Sequence, residues 1–134
     1  MAYMNQERKA AIAPAVKNIL KKYGLKGSLR VRNHITLCLT IRSGQIDFVS
    51  NYLDTVGSNA HNQKWIEEKN NIDVNVYHYR NHFDGRAREA LAELIAAMNQ
   101  GNYDNSQIEC DYFDRGWYVD VEVGRWNQPY TVAA

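Results

Sequence analysis

Proline and cysteine are scarce in this chain, and no long apolar run occurs in it. Two prolines among 134 residues leave no room for a proline-rich linker, and eight glycines do not make one either. Cys38 and Cys110 stand alone, without a C-x-x-C partner, which fits two reduced, buried thiols rather than a disulfide framework or a zinc site. Nothing approaches the roughly 18 uninterrupted apolar residues of a membrane span. The stretch Met1-Ala2-Tyr3-Met4-Asn5-Gln6-Glu7 lacks the basic start and apolar run of a secretion signal. A cytoplasmic protein without a membrane partner is therefore expected. There is almost no net charge, with 16 Lys and Arg against 15 Asp and Glu. The G-x-S-x-G elbow, the P-loop, the G-x-G-x-x-G turn and the D-x-D-x-D-G calcium loop are missing as well.

What is present is an ordinary globular composition, 45% apolar and 23% charged. It makes one domain over residues 1–134, long enough to bury roughly two-thirds of its unfolded surface. The charge, however, is unevenly spread. Arg8, Lys9, Lys17, Lys21, Lys22, Lys26, Arg30, Arg32 and Arg42 precede residue 43 with Glu7 as the one acid among them, so the first 42 residues carry +8 and the rest −7. Such a split suits a phosphate-facing end, and it equally suits two halves that neutralise each other on folding.

Hydrophobic periodicity supplies the elements. Ile12, Val16, Ile19, Leu20 and Tyr23 recur at helical steps between Asn5 and a left-handed cap at Gly24, with Pro14 predicting a start or kink inside the helix. Leu29 and Val31, then Ile35, Leu37, Leu39 and Ile41, alternate as two strands. A hairpin pairing Val31 with Ile35 and Leu29 with Leu37 needs the odd loop Arg32-Asn33-His34, with Asn33 or His34 left-handed. A short helix carrying Ile46, Val49, Tyr52 and Leu53 ends near Gly57, and residues 58–71 read as a polar loop. Ile72 to His78 alternates as a third strand. Asp84 caps the clearest helix, which carries Ala87, Leu91, Leu94, Ile95 and Met98. A second hairpin then pairs Ile108, Cys110 and Tyr112 with Val121, Val119 and Trp117. The order α-β-β-α-β-α-β-β predicts an α+β fold, a mainly antiparallel sheet with two long helices packed on one face.

The uncovered sheet face is the first candidate surface. Its expected residues include Arg30, Arg32, Tyr77, Tyr79, Glu109, Asp111, Tyr118 and Asp120, with Asp73 and Glu122 beside them. Tyrosine is the aromatic that tolerates a half-wet surface, and binding faces favour it. The hairpin sets Glu109 opposite Asp120, like charges that need solvent screening, the nearby arginines, a cation or a basic partner to relieve them. The second candidate is the basic first helix and hairpin, where Lys17, Lys21, Lys22 and Lys26 suit a nucleic-acid backbone, although a lysine-rich helix face also arises simply to stay solvated. The third is a small metal-dependent hydrolase using His78 and His82, whose i, i+4 spacing lies at a strand end and lacks a metalloprotease glutamate. His34 and His61 are expected on exposed loops. No residue is assigned as catalytic or metal-ligating, and no cofactor is expected.

Three stretches also carry a resemblance. Met1-Ala2-Tyr3-Met4-Asn5-Gln6-Glu7-Arg8-Lys9 with Ala13-Pro14-Ala15-Val16-Lys17 is the first. The others are Lys22-Tyr23-Gly24-Leu25-Lys26-Gly27-Ser28-Leu29 and Asp111-Tyr112-Phe113-Asp114-Arg115-Gly116-Trp117-Tyr118-Val119-Asp120-Val121. Through them the chain resembles, over nearly its full length, a group of small uncharacterised proteins of tailed phages and prophages. More distantly it is similar to the α+β domains associated with large polyvalent phage proteins. The resemblance brings no catalytic motif, so no site residue is carried over. It implies a small accessory protein acting in a bacterial host cell, of a kind that binds and modulates host machinery or counters host defence; with no spacing in the chain that demands catalysis, a non-enzymatic binder is the first reading. A host protein would be the partner, bound through the sheet face, with homodimerisation through the sheet as a rider.

Overall fold

The computed structural model describes residues 4–56, 71–102, 116–125 and 129–132. Helix α1 (Gln6–Lys22) starts where Asn5 Oδ1 accepts from Arg8 N at 2.8 Å and ends at Gly24, whose φ of +67° is the left-handed turn expected of it. Pro14 neither starts nor breaks α1, which runs through it with Ile12, Val16 and Leu20 buried.

Strands β1 (Leu25–Arg32) and β2 (Thr36–Gly44) form the expected antiparallel hairpin with its register moved by two residues: Val31 faces Leu37 and Leu29 faces Leu39. Asn33 and His34 both take positive φ, 55° and 59°, so pairing begins only at Arg32 and Thr36. Ile35, expected inside, is pushed into the turn and exposed. A shift of two keeps every side chain on its expected face.

Helix α2 (Phe48–Val56) follows. Strand β3 (Ile72–Val74) is shorter than the expected 72–78. Asn75 Oδ1 accepts from Tyr77 N at 2.9 Å and His78 N at 3.1 Å, an Asx turn that competes with the ladder and bends the chain out of the sheet into the single-turn helix α3 (Tyr79–His82). Helix α4 (Gly85–Met98) comes next. Asp84 holds its N-cap position, but the Asp84 carboxylate accepts from Asn51 Nδ2 at 2.8 Å instead of capping, and Asp84 N donates back to Asn51 Oδ1 at 2.9 Å, tying α2 to α4. Strands β4 (Tyr118–Val123) and β5 (Thr131–Val132) complete the described residues.

The protein is α+β, and its described residues form a five-stranded sheet with helices packed against it. The order is β1-β2-β4-β3. β1–β2 and β3–β4 are antiparallel and supply the longer part of the ladder; β2–β4 is parallel, with β5 adding a short parallel pair at Ser43 and Gly44. One strand of the expected C-terminal hairpin lies outside the described residues, and β4 is hydrogen-bonded to β2 and β3. The core joins Ile12, Val16 and Leu20 of α1 and Leu91, Leu94 and Met98 of α4 to Leu37, Leu39 and Ile41 of β2 and Val121 and Val123 of β4.

One irregularity shapes the sheet edge. Lys26 faces Ser43 and Gly27 faces Ile41, so the register skips Arg42, the extra residue of a β-bulge. Glycines flank it on both strands. A Cβ on Gly27 would lie 2.6 Å from the backbone oxygen of Thr40, and one on Gly44 would lie 2.4 Å from Leu25 Cδ2 and 2.9 Å from Gly24 O. Gly27→Ala therefore forces backbone against backbone, and urea denaturation is expected to show a loss of about 1–3 kcal/mol; unchanged stability would mean that the strands do not need this close approach.

Candidate nucleic-acid interface and sheet face

Strand order decides whether the basic hairpin and the acidic C-terminal strand share a surface, and they do. Rungs across β1, β2 and β4 align Arg32, Thr36 and Tyr118, then Arg30, Cys38 and Asp120, while Thr40 and Glu122 align with Asp73 of β3. On this face Arg32 Nη1 lies 3.1 Å from Asp120 Oδ2, and Arg30 Nη1 lies 3.2 Å from Glu122 Oε1. Arg30 also donates to Thr40 Oγ1 at 3.1 Å, and that hydroxyl donates onward to Glu122 at 2.6 Å. Arg125 Nε approaches the same Glu122 oxygen at 3.5 Å. The arginines expected to present themselves to a partner are thus held by carboxylates of the same face.

The other expected members separate. Tyr118 is on the face and 39% exposed, next to Ile35, whose carbonyl accepts from Tyr118 N at 2.9 Å. Tyr77 is exposed but lies in the turn after β3. Tyr79 is buried in the core, a correction to its expected place: with β3 cut short by the Asn75 turn, Tyr79 opens α3 instead of alternating along a strand. Glu109 and Asp111 lie outside the described residues, as do Cys110, His61 and most of the loop expected at 58–71.

Two groups on the face have shifted titrations. Burial pushes the Cys38 thiol up, Arg32 pulls it back and Asp120 raises it, so it is protonated and unreactive at neutral pH. Asp73 is exposed as a residue, yet its carboxyl is raised above the ordinary value first by partial desolvation, then by the like charges of Asp120 and Glu122, with Arg32 opposing.

The basic set of the first helix and hairpin converges elsewhere. Lys17 and Lys21, one turn apart on α1, face the same way, and the reversal at Gly24 brings β1 directly beneath the last turn of the helix. A groove of about 640 Å³ forms there, lined by Lys17, Lys21, Lys26, Arg42 and Gln45 over Leu20, Leu25 and two glycines. A smaller cleft of about 230 Å³ continues it along α1 and β1, sharing Lys17, Leu20 and Gly27. No carboxylate lines either.

Lys22, expected with this set, is withdrawn from it. Its Nζ lies 2.9 Å from Glu93 Oε1 on α4, and the Tyr23 hydroxyl donates to the same carboxylate. The bond from Tyr23, then that from Lys22, holds the Glu93 carboxyl below the usual glutamate range. Sequence reading passed over Arg42 and Gln45. The available signal was Gly27, a glycine within a strand, which marks a bulge or a close backbone approach.

The three described histidines are placed apart from any such cluster. His78 precedes α3 as its exposed N-cap residue, His82 sets its ring edge-on to Tyr52 at 5.8 Å, and His34 sits in the β1–β2 turn. Among the described residues no group of three or more His, Cys, Asp or Glu is placed to hold a metal ion, and no helix is long and apolar enough to cross a membrane.

The Asp73 environment makes a signed prediction. A carboxyl raised in the folded state favours folding at low pH, and that contribution is lost as pH rises through its folded value. Asp73→Asn is expected to stabilise the protein at pH 7 by about 0.5 kcal/mol, the scale of a like-charge cross-strand contact. The gain should vanish below the ordinary carboxyl value of 3.8. Thermal melts across this range would contradict the assignment if the substitution were destabilising at neutral pH. Compared with family models, curated proteins and solved structures, the chain matches none of them.

Proposed function

We propose that the chain is a non-enzymatic binding protein that holds a nucleic-acid backbone in the groove between α1 and β1, in the setting its phage-protein resemblance implies, a bacterial host cell. One observation carries this reading: Lys17, Lys21, Lys26 and Arg42 converge on a groove without a lining carboxylate, and none of the four has an ion-pair partner among the described residues. Convergent cations in one groove raise the local potential and draw in phosphates, a term strong enough to supply sequence-independent binding on its own. Lys21 and Lys22 in the last turn of α1 also offset the negative end of the helix dipole, which accounts for cations at that turn but not for Lys17, Lys26 or Arg42.

A second reading keeps a host protein as the partner, bound through the sheet face. The exposure of Tyr118 supports it, because this large side chain lies at one end of a face on which Arg30 and Arg32 are held by Glu122 and Asp120.

Fluorescence anisotropy on a mixed-sequence duplex separates the two. With four phosphates engaged, log K is expected to fall against log salt with a slope of about −3 to −4. The charge reversal Lys17→Glu with Lys21→Glu should abolish binding while the fold persists, since both side chains are exposed. A duplex that is not bound at low salt, together with a host protein captured after nuclease treatment and lost on Tyr118→Ala, would transfer the function to the sheet face.

A further inference from the structure

The three lysines of the groove come from ordinary helix and strand positions, whereas Arg42 comes from an interruption. Regular alternation along β2 puts Thr36, Cys38 and Thr40 on the sheet face, and Arg42 would continue that row beside the Arg30–Glu122 pair. The bulge instead leaves Arg42 without a cross-strand partner and sets it against Lys26 at the groove. Gly27 and Gly44 on either side have no room for a Cβ, so the interruption is specified by the residues around it. Bulges of this kind re-aim a side chain, and they recur beside functional sites.

The arginines of the described residues have contrasting occupations. Arg30, Arg32 and Arg125 are held by Glu122 or Asp120. Arg80 and Arg86 lie over tyrosine rings, and Arg8 lies over Trp117. Arg42 makes no such contact among the described residues; Arg88 on α4 shares that freedom, but only Arg42 lines the groove. A guanidinium differs from an ammonium in kind: its planar fork matches two oxygens of one phosphate, whereas a lysine acts as a point charge.

We infer that Arg42 is the phosphate clamp of the groove. Its guanidinium grips one backbone phosphate through two parallel N–H···O bonds, while Lys17, Lys21 and Lys26 supply field without fixed geometry. This rests on the nucleic-acid reading of the groove and adds to it a position where arginine and lysine are not interchangeable.

The test compares R42K with R88K, an equally charge-preserving change at an exposed arginine of α4 outside the groove, on the same mixed-sequence duplex at fixed salt, using the whole chain and a thermal melt of each variant. R88K is expected to bind within about twofold of wild type, and R42K to lose about tenfold although its charge is unchanged. Wild-type binding that R42K leaves intact overturns the clamp and spares the groove. Absence of binding by the wild-type chain overturns both. If R42K melts early, the Arg42 Nε–H resonance of wild-type protein titrated with that duplex decides instead: a shifted, exchange-protected signal supports the clamp, and an unperturbed one overturns it.

Discussion

Strand β2 is buried from Thr36 to Ile41, on both faces and between two hydrogen-bonded neighbours. A strand in that position must give its backbone N–H and C=O groups to partners, because a buried group left unpaired costs about 1–3 kcal/mol. β1 satisfies one edge and β4, continued by β5, the other. The parallel β2–β4 pairing follows from that need, and with it the meeting of a basic hairpin and an acidic strand on one surface. The remaining architecture adjusts to it: α1 and α4 cover the apolar side, and β3 closes the far edge.

The charge distribution is a consequence of the same pairing. The excess of cations in the first 42 residues meets its counterpart on two fronts, at Asp120 and Glu122 on the sheet face and at Glu93 on α4. These contacts are part-exposed and individually weak, but they remove Arg30, Arg32 and Lys22 from service to a ligand. Lys17, Lys21, Lys26 and Arg42 remain, gathered where helix, turn and edge strand meet. A chain with a net charge of +1 thus keeps a concentrated positive groove, because the neutralisation is spatially selective. The groove also lies along β1, the edge strand among the described residues, whose lysine and arginines, with the bulge in β2 beside it, discourage another strand from adding there.

Local signals were legible in the sequence, and non-local ones were not. Gly24 marks the end of α1 by the chemistry of caps, whereas Pro14 left open the start that Asn5 caps, and the core positions of α4 follow from helical spacing. The hairpin faces were readable because side-chain parity survives a two-residue shift, while the register was not, since two successive left-handed residues at Asn33 and His34 move the first pair. Tyr79 was misplaced because a single Asn75 side chain ended a strand that the alternating pattern would have continued. The parallel neighbour of β2 lies some 80 residues away, beyond the reach of any local period. Within the candidate groove, Lys17, Lys21 and Lys26 were visible as a basic cluster. Lys22 is diverted by a glutamate 71 residues distant, and Arg42 is admitted by a bulge that depends on the missing Cβ atoms of two glycines.

The central claim is spatial: nucleic acid meets the α1–β1 groove, and the paired sheet face stays clear of it. An amide and side-chain NMR titration of the whole protein with a short mixed-sequence duplex reads both surfaces at once. The account predicts perturbations at Lys17, Lys21, Lys26, Arg42 and Gln45, with Arg30, Tyr118, Asp120 and Glu122 unmoved. Perturbations centred on Tyr118 and the Arg30–Glu122 pair, with the groove silent, would contradict it.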